Sequence, residues 1–328
     1  MKASSERRCR RLPNLPDVPP ETQENVREET SLGSAVITVI LNPTARAGQS
    51  DTIRSQLDDL FGAAGIPLRL VPFGSGAEAV AAARRAAEAG DDAVVAAGGD
   101  GTISTVASAL AGSDMPMGVL PLGTLNHFAK DLGLPLDPAE AVKTIASRRT
   151  VKVDVGEVNG RIFLNNSSIG IYPDIVMERE ALRRRGHRKW TAFAVASARI
   201  LRYYRGLVVK ITAGGPAETA RTPFLLVGNN EYEIDGIHLG ARSRLDGGRL
   251  SAYLAPRVHA RELPRLLAWA LAGRAKENHT LVSFLARELR VETPGRRSLR
   301  VALDGEVVLM TAPLHYRLRP LALRVIVP

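Results

Sequence analysis

The chain has 328 residues, 45% hydrophobic and 24% charged, with a formal net charge of +10. At roughly 100–200 residues per domain that length suggests two domains, and no apolar stretch reaches the ~18 residues of a membrane-spanning helix. The single cysteine, Cys9, excludes an internal disulfide, and a 5% aromatic share argues against a base-stacking single-strand binder.

One cysteine makes a reducing compartment the default, so a cytoplasmic location is expected. The basic balance suits nucleic acid, anionic lipid headgroups or phosphorylated small molecules without choosing among them. Residues 1–34 are polar, basic and proline-containing. They lack the apolar core of a signal peptide and are expected to be disordered.

From residue 35 to 150 strand and helix patterns alternate. "AVITVILNP" (35–43) reads as a buried strand entering a loop, and "DTIRSQLDDLFGAAG" (51–65) has apolar residues at helical spacing. "PLRLVPF" (67–73) reads as a strand and "AEAVAAARRAAEAG" (77–90) as a helix closed by Gly90. "DAVVAAGG" is a strand, "TISTVASAL" a helix and "PMGVLPLG" (116–123) another strand. "DPAEAVKTIASRR" (137–149) has Asp137 as N-cap, Pro138 in the first turn and Glu140 completing a capping box. This alternation predicts a parallel sheet covered on both faces.

Beyond 150 the rhythm changes. "VKVDVGEV", Asn159-Gly160 and "RIFLNNSS" predict a hairpin with a type I′ turn. Strand-like runs follow at 207–213, 222–230, 249–256, 289–293 and 298–310, the last turning at Asp304-Gly305. Helical pieces are expected around 178–204 and 260–274. Residues 151–328 therefore read as a mainly antiparallel β-sandwich.

The informative stretch is "DDAVVAAGGDGTISTVASAL" (91–110): strand, glycine turn, helix. Glycines let backbone N–H groups approach phosphate oxygens, and a helix N-terminus adds partial positive charge. Asp100 in that turn would repel phosphate unless Mg²⁺ lies between them or the acid takes a proton from a nucleophile. The turn is neither GxGxxG nor GxxxxGK[ST]. Taken alone it could equally be a tight turn in which Asp100 or Thr102 caps the next helix. "NPTARAG" (42–48) and "PLGTLNHFAKDLGLP" (121–135) also follow strands of the same sheet, which places all three at its C-terminal edge, where open α/β sheets bind ligands.

"NPTARAG", "GGDGT", "PLGTLNHFAKDLGLP" and the distal "DGE" (304–306), in this order, resemble the diacylglycerol kinase catalytic-domain family, which includes bacterial soluble lipid kinases, sphingosine kinases and ceramide kinases. The resemblance spans nearly everything from residue 35 to 328. It implies a Rossmann-like α/β nucleotide domain of the NAD kinase/diacylglycerol kinase kind over 35–150. It also implies a β-sandwich lipid-substrate domain over 151–328, an active site in the cleft between them, and ATP with Mg²⁺. Carried over, Asn42 and Thr44 would sit by the phosphates. Gly98, Gly99, Gly101 and Thr102 would form the phosphate loop, and Gly123, Thr124 and Asn126 would contact the nucleotide. Asp100 would serve the metal or help activate the lipid hydroxyl, and Glu306 is the expected proton acceptor. Asp304 is read mainly as a turn residue.

By the same resemblance Asp246 in "LDGGRL" corresponds to an aspartate supporting a structural Mg²⁺ site, with a plain turn as the alternative. Asp174 in "SSIGIYPDIV" corresponds to a residue that recognises the lipid polar group, with a loop or cap residue as the alternative. Arg183 and Lys189 in "EREALRRRGHRKW" align roughly with basic residues near the phosphates, and the whole run could also attract an anionic membrane. His127 departs from the pattern. Many bacterial relatives carry aspartate there, so His127 is either a donor to phosphate or headgroup or a surface or helix-capping histidine.

The reading is an ATP-dependent lipid kinase acting on a membrane lipid such as diacylglycerol, peripheral at the inner face of the membrane, with pairing of two copies as family members often do. The alternatives are an NAD kinase-like small-molecule kinase and a catalytically impaired nucleotide-binding regulatory protein. No nucleic-acid motif accompanies the basic charge.

Overall fold

The computed structural model describes residues 36–43, 50–204, 206–235, 238–256, 258, 262 and 282–328. The expected helix at 260–274 and the tail 1–34 lie outside the described residues.

The first half is built as β1 (Ile37–Leu41), α1 (Ser50–Ala63), β2 (Leu68–Pro72), α2 (Gly76–Glu88), β3 (Ala93–Gly98), α3 (Asp100–Leu110), β4 (Met117–Pro121), α4 (His127–Asp131) and α5 (Pro138–Ser147). The strands lie parallel in the order β2-β1-β3-β4. Every residue of β1, β3 and β4 is buried, which is why these runs are continuously apolar rather than alternating. One face is covered by α2 and α3 and the other by α1 and α5, and each face carries its own apolar core. Each fully buried side chain such as Phe61 or Ile103 contributes about 1.5–3 kcal/mol.

The caps explain two of the helix starts. Ser75 Oγ accepts from Glu78 N, and the Glu78 carboxylate in turn accepts from Gly74 N and Ser75 Oγ, opening α2 with a reciprocal box. Asp137 accepts from Ala139 N and Glu140 N and opens α5. The expected box at α5 does not close, because the Glu140 side chain pairs with Lys143 at 2.7 Å instead.

The second half continues with β5 (Thr150–Val158), β6 (Arg161–Phe163), β7 (Asn166–Gly170), α6 (Ile171–Arg184), α7 (Lys189–Tyr203), β8 (Leu207–Thr212), β9 (Glu218–Thr222) and β10 (Phe224–Asn229). Then come β11 (Glu233–Asp235), β12 (His238–Ala241), β13 (Leu250–Leu254), β14 (Val282–Ala286), β15 (Glu288–Glu292), β16 (Ser298–Leu303), β17 (Glu306–Thr311) and β18 (Leu314–Ile326). The six-stranded sheet β14-β13-β10-β7-β16-β17 packs on the far part of the first sheet over a shared core that includes Phe163, Val227, Val301 and Tyr316. Asn159 and Gly160 both have positive φ, as the expected β5–β6 turn requires.

The halves are not divided by a single cut at residue 150. β18 pairs with β15 in the sandwich and, at Val325, runs parallel to β4 of the first half, while β5 follows it along most of its length. Leu323, Val325 and Ile326 lie in the cores of the α/β half. The β5–β18 register shifts between Arg319 and Leu323. Buried Asp154 holds that irregularity, accepting from Leu321 N with one oxygen and Gly248 N with the other.

Candidate active site

Asn42 at the end of β1 and the loops after β3 and β4 converge, as the strand order requires. β3 ends at Gly98, and α3 starts at Asp100 with Gly99 as an N-cap that offers no side-chain bond. The first amides of α3 are thus open to an incoming anion. A Cβ on Gly98 would collide with the Thr102 side chain. Buried Thr102 accepts from Asn42 Nδ2 at 3.2 Å, tying the β1 loop to α3. Gly99 and Gly123 lie so close that a Cβ on Gly123 would come within 2.6 Å of Gly99 Cα. The glycine turn after β3 and the loop after β4 are therefore one packed unit. Gly101 has open space around its Cα. Thr44 lies outside the described residues.

Asn126 belongs to the loop expected to contact the nucleotide. It is buried and in the left-handed conformation (φ 51), and its amide serves its own loop. Oδ1 accepts from Gly123 N at 3.1 Å and Nδ2 donates to Gly123 O at 3.0 Å. Asn126 shapes the loop that presents exposed Thr124. His127 opens α4 and is exposed, on the solvent side of that short helix.

Asp100 is partly buried, and its Oδ1 is buried with no hydrogen-bond partner. A buried acceptor left unpaired costs about 1–3 kcal/mol, more for a charged group. One turn along α3, Ser104 Oγ donates to Asp304 Oδ2 at 2.6 Å. Asp304 has φ 46 in the turn between β16 and β17, so the turn reading is right as far as it goes. Its carboxylate does more, accepting also from Leu164 N (2.8 Å), Asn165 N (2.8 Å) and Asn166 N (3.1 Å). Burial pushes this carboxyl above the ordinary carboxylate range, while the four donated bonds favour the ionised form and oppose that shift. Glu306, two residues on, is exposed at the start of β17. A single hydrogen bond thus joins the helix carrying Asp100 to the turn carrying Glu306.

Asp174 stands in the first turn of α6, not in a loop, and pairs with Arg300 of β16 at 2.9 Å. The neighbouring Tyr204 phenol is pushed well up by burial, with the Asp174 charge adding to the shift. Arg183 is half-exposed and faces Glu180 at 3.5 Å, and the Lys189 side chain lies outside the described residues. Asp246 forms an exposed pair with Arg244 at 3.0 Å. Among the described residues no three His, Cys, Asp or Glu side chains gather to hold a metal, so the expected structural Mg²⁺ site at Asp246 has no assembled ligand set here.

Sequence reasoning missed Ser104, Asp131, Arg242 and the anchoring role of Asp304. A cavity of about 630 Å³, lined by Glu157, Thr212, Glu288, Arg290, His315 and Arg317 among others, contains none of the candidate residues. Glu157 and Arg317 are paired within it.

The diacylglycerol kinase catalytic domain model matches residues 36–158, and the YegS C-terminal NAD kinase beta sandwich-like domain model matches residues 168–327. "Probable lipid kinase YegS-like" of Pseudomonas fluorescens is 31% identical over 255 residues, covering 75% of this chain and 80% of that protein. The chain belongs to the diacylglycerol kinase catalytic-domain family. Another relative, a diacylglycerol kinase of Bacillus subtilis (strain 168), is 27% identical over 272 residues, 82% of this chain and 88% of that protein. A solved diacylglycerol kinase structure from Bacillus anthracis str. Sterne aligns at TM-score 0.65 and 21% identity, covering 90% of this chain and 97% of that one. A second structure from the same organism aligns at 0.70 and 23% identity with the same coverage. The two structures establish the fold: an α/β domain with a parallel sheet and a β-sandwich. Family membership makes the chain a kinase of the lipid kinase kind. Among the described residues no helix is long and apolar enough to cross a membrane.

Proposed function

We propose that this protein is an ATP-dependent lipid kinase that transfers the γ-phosphoryl group to the hydroxyl of a membrane lipid such as diacylglycerol. The observation that carries the reading is the unpaired, buried Oδ1 of Asp100 at the uncapped start of α3. Its place at the start of a helix whose first amides are open sets it in the candidate site, and a cation or a hydroxyl donor would satisfy it.

In this reading the open amides of Gly99–Gly101 and the Gly123–Thr124 loop bind the nucleotide phosphates. Asp100 fits a role beside Mg²⁺, which when bound would neutralise charge on the phosphoryl oxygens. Glu306 accepts the proton of the lipid hydroxyl as its oxygen bonds to the γ-phosphorus. The bond to the bridging oxygen breaks and ADP leaves. Proton acceptance of this kind contributes typically ~10²–10⁴-fold. Exposed Arg184 at the end of α6, then Arg185, His187 and Arg188 before α7, with half-exposed Met177 on α6 and Phe193 on α7, support approach to an anionic bilayer.

The test is transfer of label from γ-labelled ATP in the presence of Mg²⁺, with mixed micelles carrying one lipid at a time. Label entering the organic phase with diacylglycerol is expected. Clear ATP binding with no label in any lipid would contradict the reading and favour a nucleotide-binding regulatory protein.

A further inference from the structure

The Arg242 side chain has no exposed surface. All five N–H donors of its guanidinium are engaged. Nε and Nη2 donate to Asp131 Oδ2 at 2.8 and 2.7 Å, and Nη2 also to Asn165 Oδ1 at 2.8 Å. Nη1 donates to Leu164 O at 2.7 Å and Asn229 O at 2.9 Å. The Tyr232 ring lies 5.5 Å from the guanidinium carbon.

These partners come from separate parts of the fold. Asp131 ends α4, the helix that continues the Gly123–Asn126 loop. Leu164 and Asn165 precede β7, and their amides hold Asp304. Followed in sequence, the contacts close a circuit. Gly99 packs on Gly123, Asn126 fixes that loop, and α4 leads to Asp131 and so to Arg242. Arg242 holds Leu164 and Asn165, these hold Asp304, and Ser104 returns from Asp304 to α3 and Gly99. Arg242 is the link from the nucleotide loop to the segment on which the acidic turn rests.

Stability is a weak reason for such a group. A buried ion pair loses much of its attraction to desolvation, and apolar residues of similar volume often replace one without loss. Geometry is a better reason, since a planar five-donor fork fixes several acceptors at once in a way that the three donors of lysine cannot. Phosphoryl transfer depends on alignment, and a 1 Å misplacement costs about 10²-fold.

We infer that Arg242, anchored by Asp131, is a positioning residue for phosphoryl transfer, setting the separation between the Gly123–Asn126 loop and the Asp304–Glu306 turn. The inference rests on the lipid-kinase reading.

Two variants test it. Arg242→Lys keeps the charge but gives up two donors. Asp131→Leu with Arg242→Met removes both charges together, so neither is stranded, and Tm checks that the fold is retained. Transfer kinetics, ADP binding by calorimetry, Tm and amide hydrogen exchange are measured on the full chain. In both variants kcat is expected to fall about 10–100-fold, with ADP affinity within about threefold of wild type. Exchange is expected to quicken in both 123–131 and 164–166. A double variant with unchanged kcat, or a loss confined to KM for ATP, overturns the inference. If the wild type labels no lipid, the kinase reading fails and exchange alone decides. Quickening in both segments then supports the link, and quickening in one or neither overturns it.

Discussion

The start of α3 and the turn at Asp304 each carry a carboxylate with a buried oxygen, and they are treated in opposite ways. Asp100 Oδ1 has no partner, and the N-cap glycine before it leaves the first amides open. The Asp304 carboxylate accepts four bonds from two parts of the chain. The difference separates two jobs. A carboxylate whose bonds are complete holds the frame, and in the proposed reading the one left open takes a ligand. The same contrast sets Asn126, whose amide is used within its own loop, apart from exposed Thr124 beside it.

Breaking the frame should have the largest effect. Asp304→Ala strands three backbone amides and the Ser104 hydroxyl, and is expected to cost about 3–5 kcal/mol of stability. Urea unfolding reads the loss, and transfer activity should fall with it. If stability is unchanged, Asp304 is not part of the frame. Gly123→Ala comes next. Its Cβ would sit 2.6 Å from Gly99 Cα, so the two loops must part. Transfer should drop about 10²-fold, read in steady-state kinetics, with a smaller change in Tm. The smallest effect sharpens the contrast away from the site. Asp137→Ala removes the α5 cap and is expected to cost about 1 kcal/mol in chemical denaturation. Glu140→Gln should be silent in the same assay, because that side chain serves an exposed pair and not the cap.

Much of the frame was legible in the sequence. The runs at 93–98 and 116–123 are apolar without alternation, as strands buried on both faces must be, and the glycine turn after the first marks the start of α3. The start of α6 was not legible. Gly170 and Pro173 suggest a loop, yet proline is harmless in a first helical turn, where its missing N–H has no partner to lose. The helical piece expected around 178–204 is in fact two helices, parted near Gly186. The return of β18 to the first sheet could not be read either, since Pro320 and the register shift interrupt the strand pattern and its partners are distant. The buried polar network was out of reach for the same reason. Ser104 and Asp304 are 200 positions apart and Asp131 and Arg242 are 111 apart, and no local pattern signals either pairing. The candidate acids Asp100 and Glu306 were legible through the resemblance, because each sits in a glycine turn that stands in order with the other motifs.

The most direct test of the contrast is Asp100→Asn, measured by thermal unfolding and by phosphoryl transfer on the same preparation. An open carboxylate kept for a ligand predicts a Tm equal to or above wild type, since a charge with one buried, unpaired oxygen has been removed. It also predicts transfer reduced about 10²–10⁴-fold. Full transfer with a lowered Tm would contradict the account and make Asp100 part of the frame.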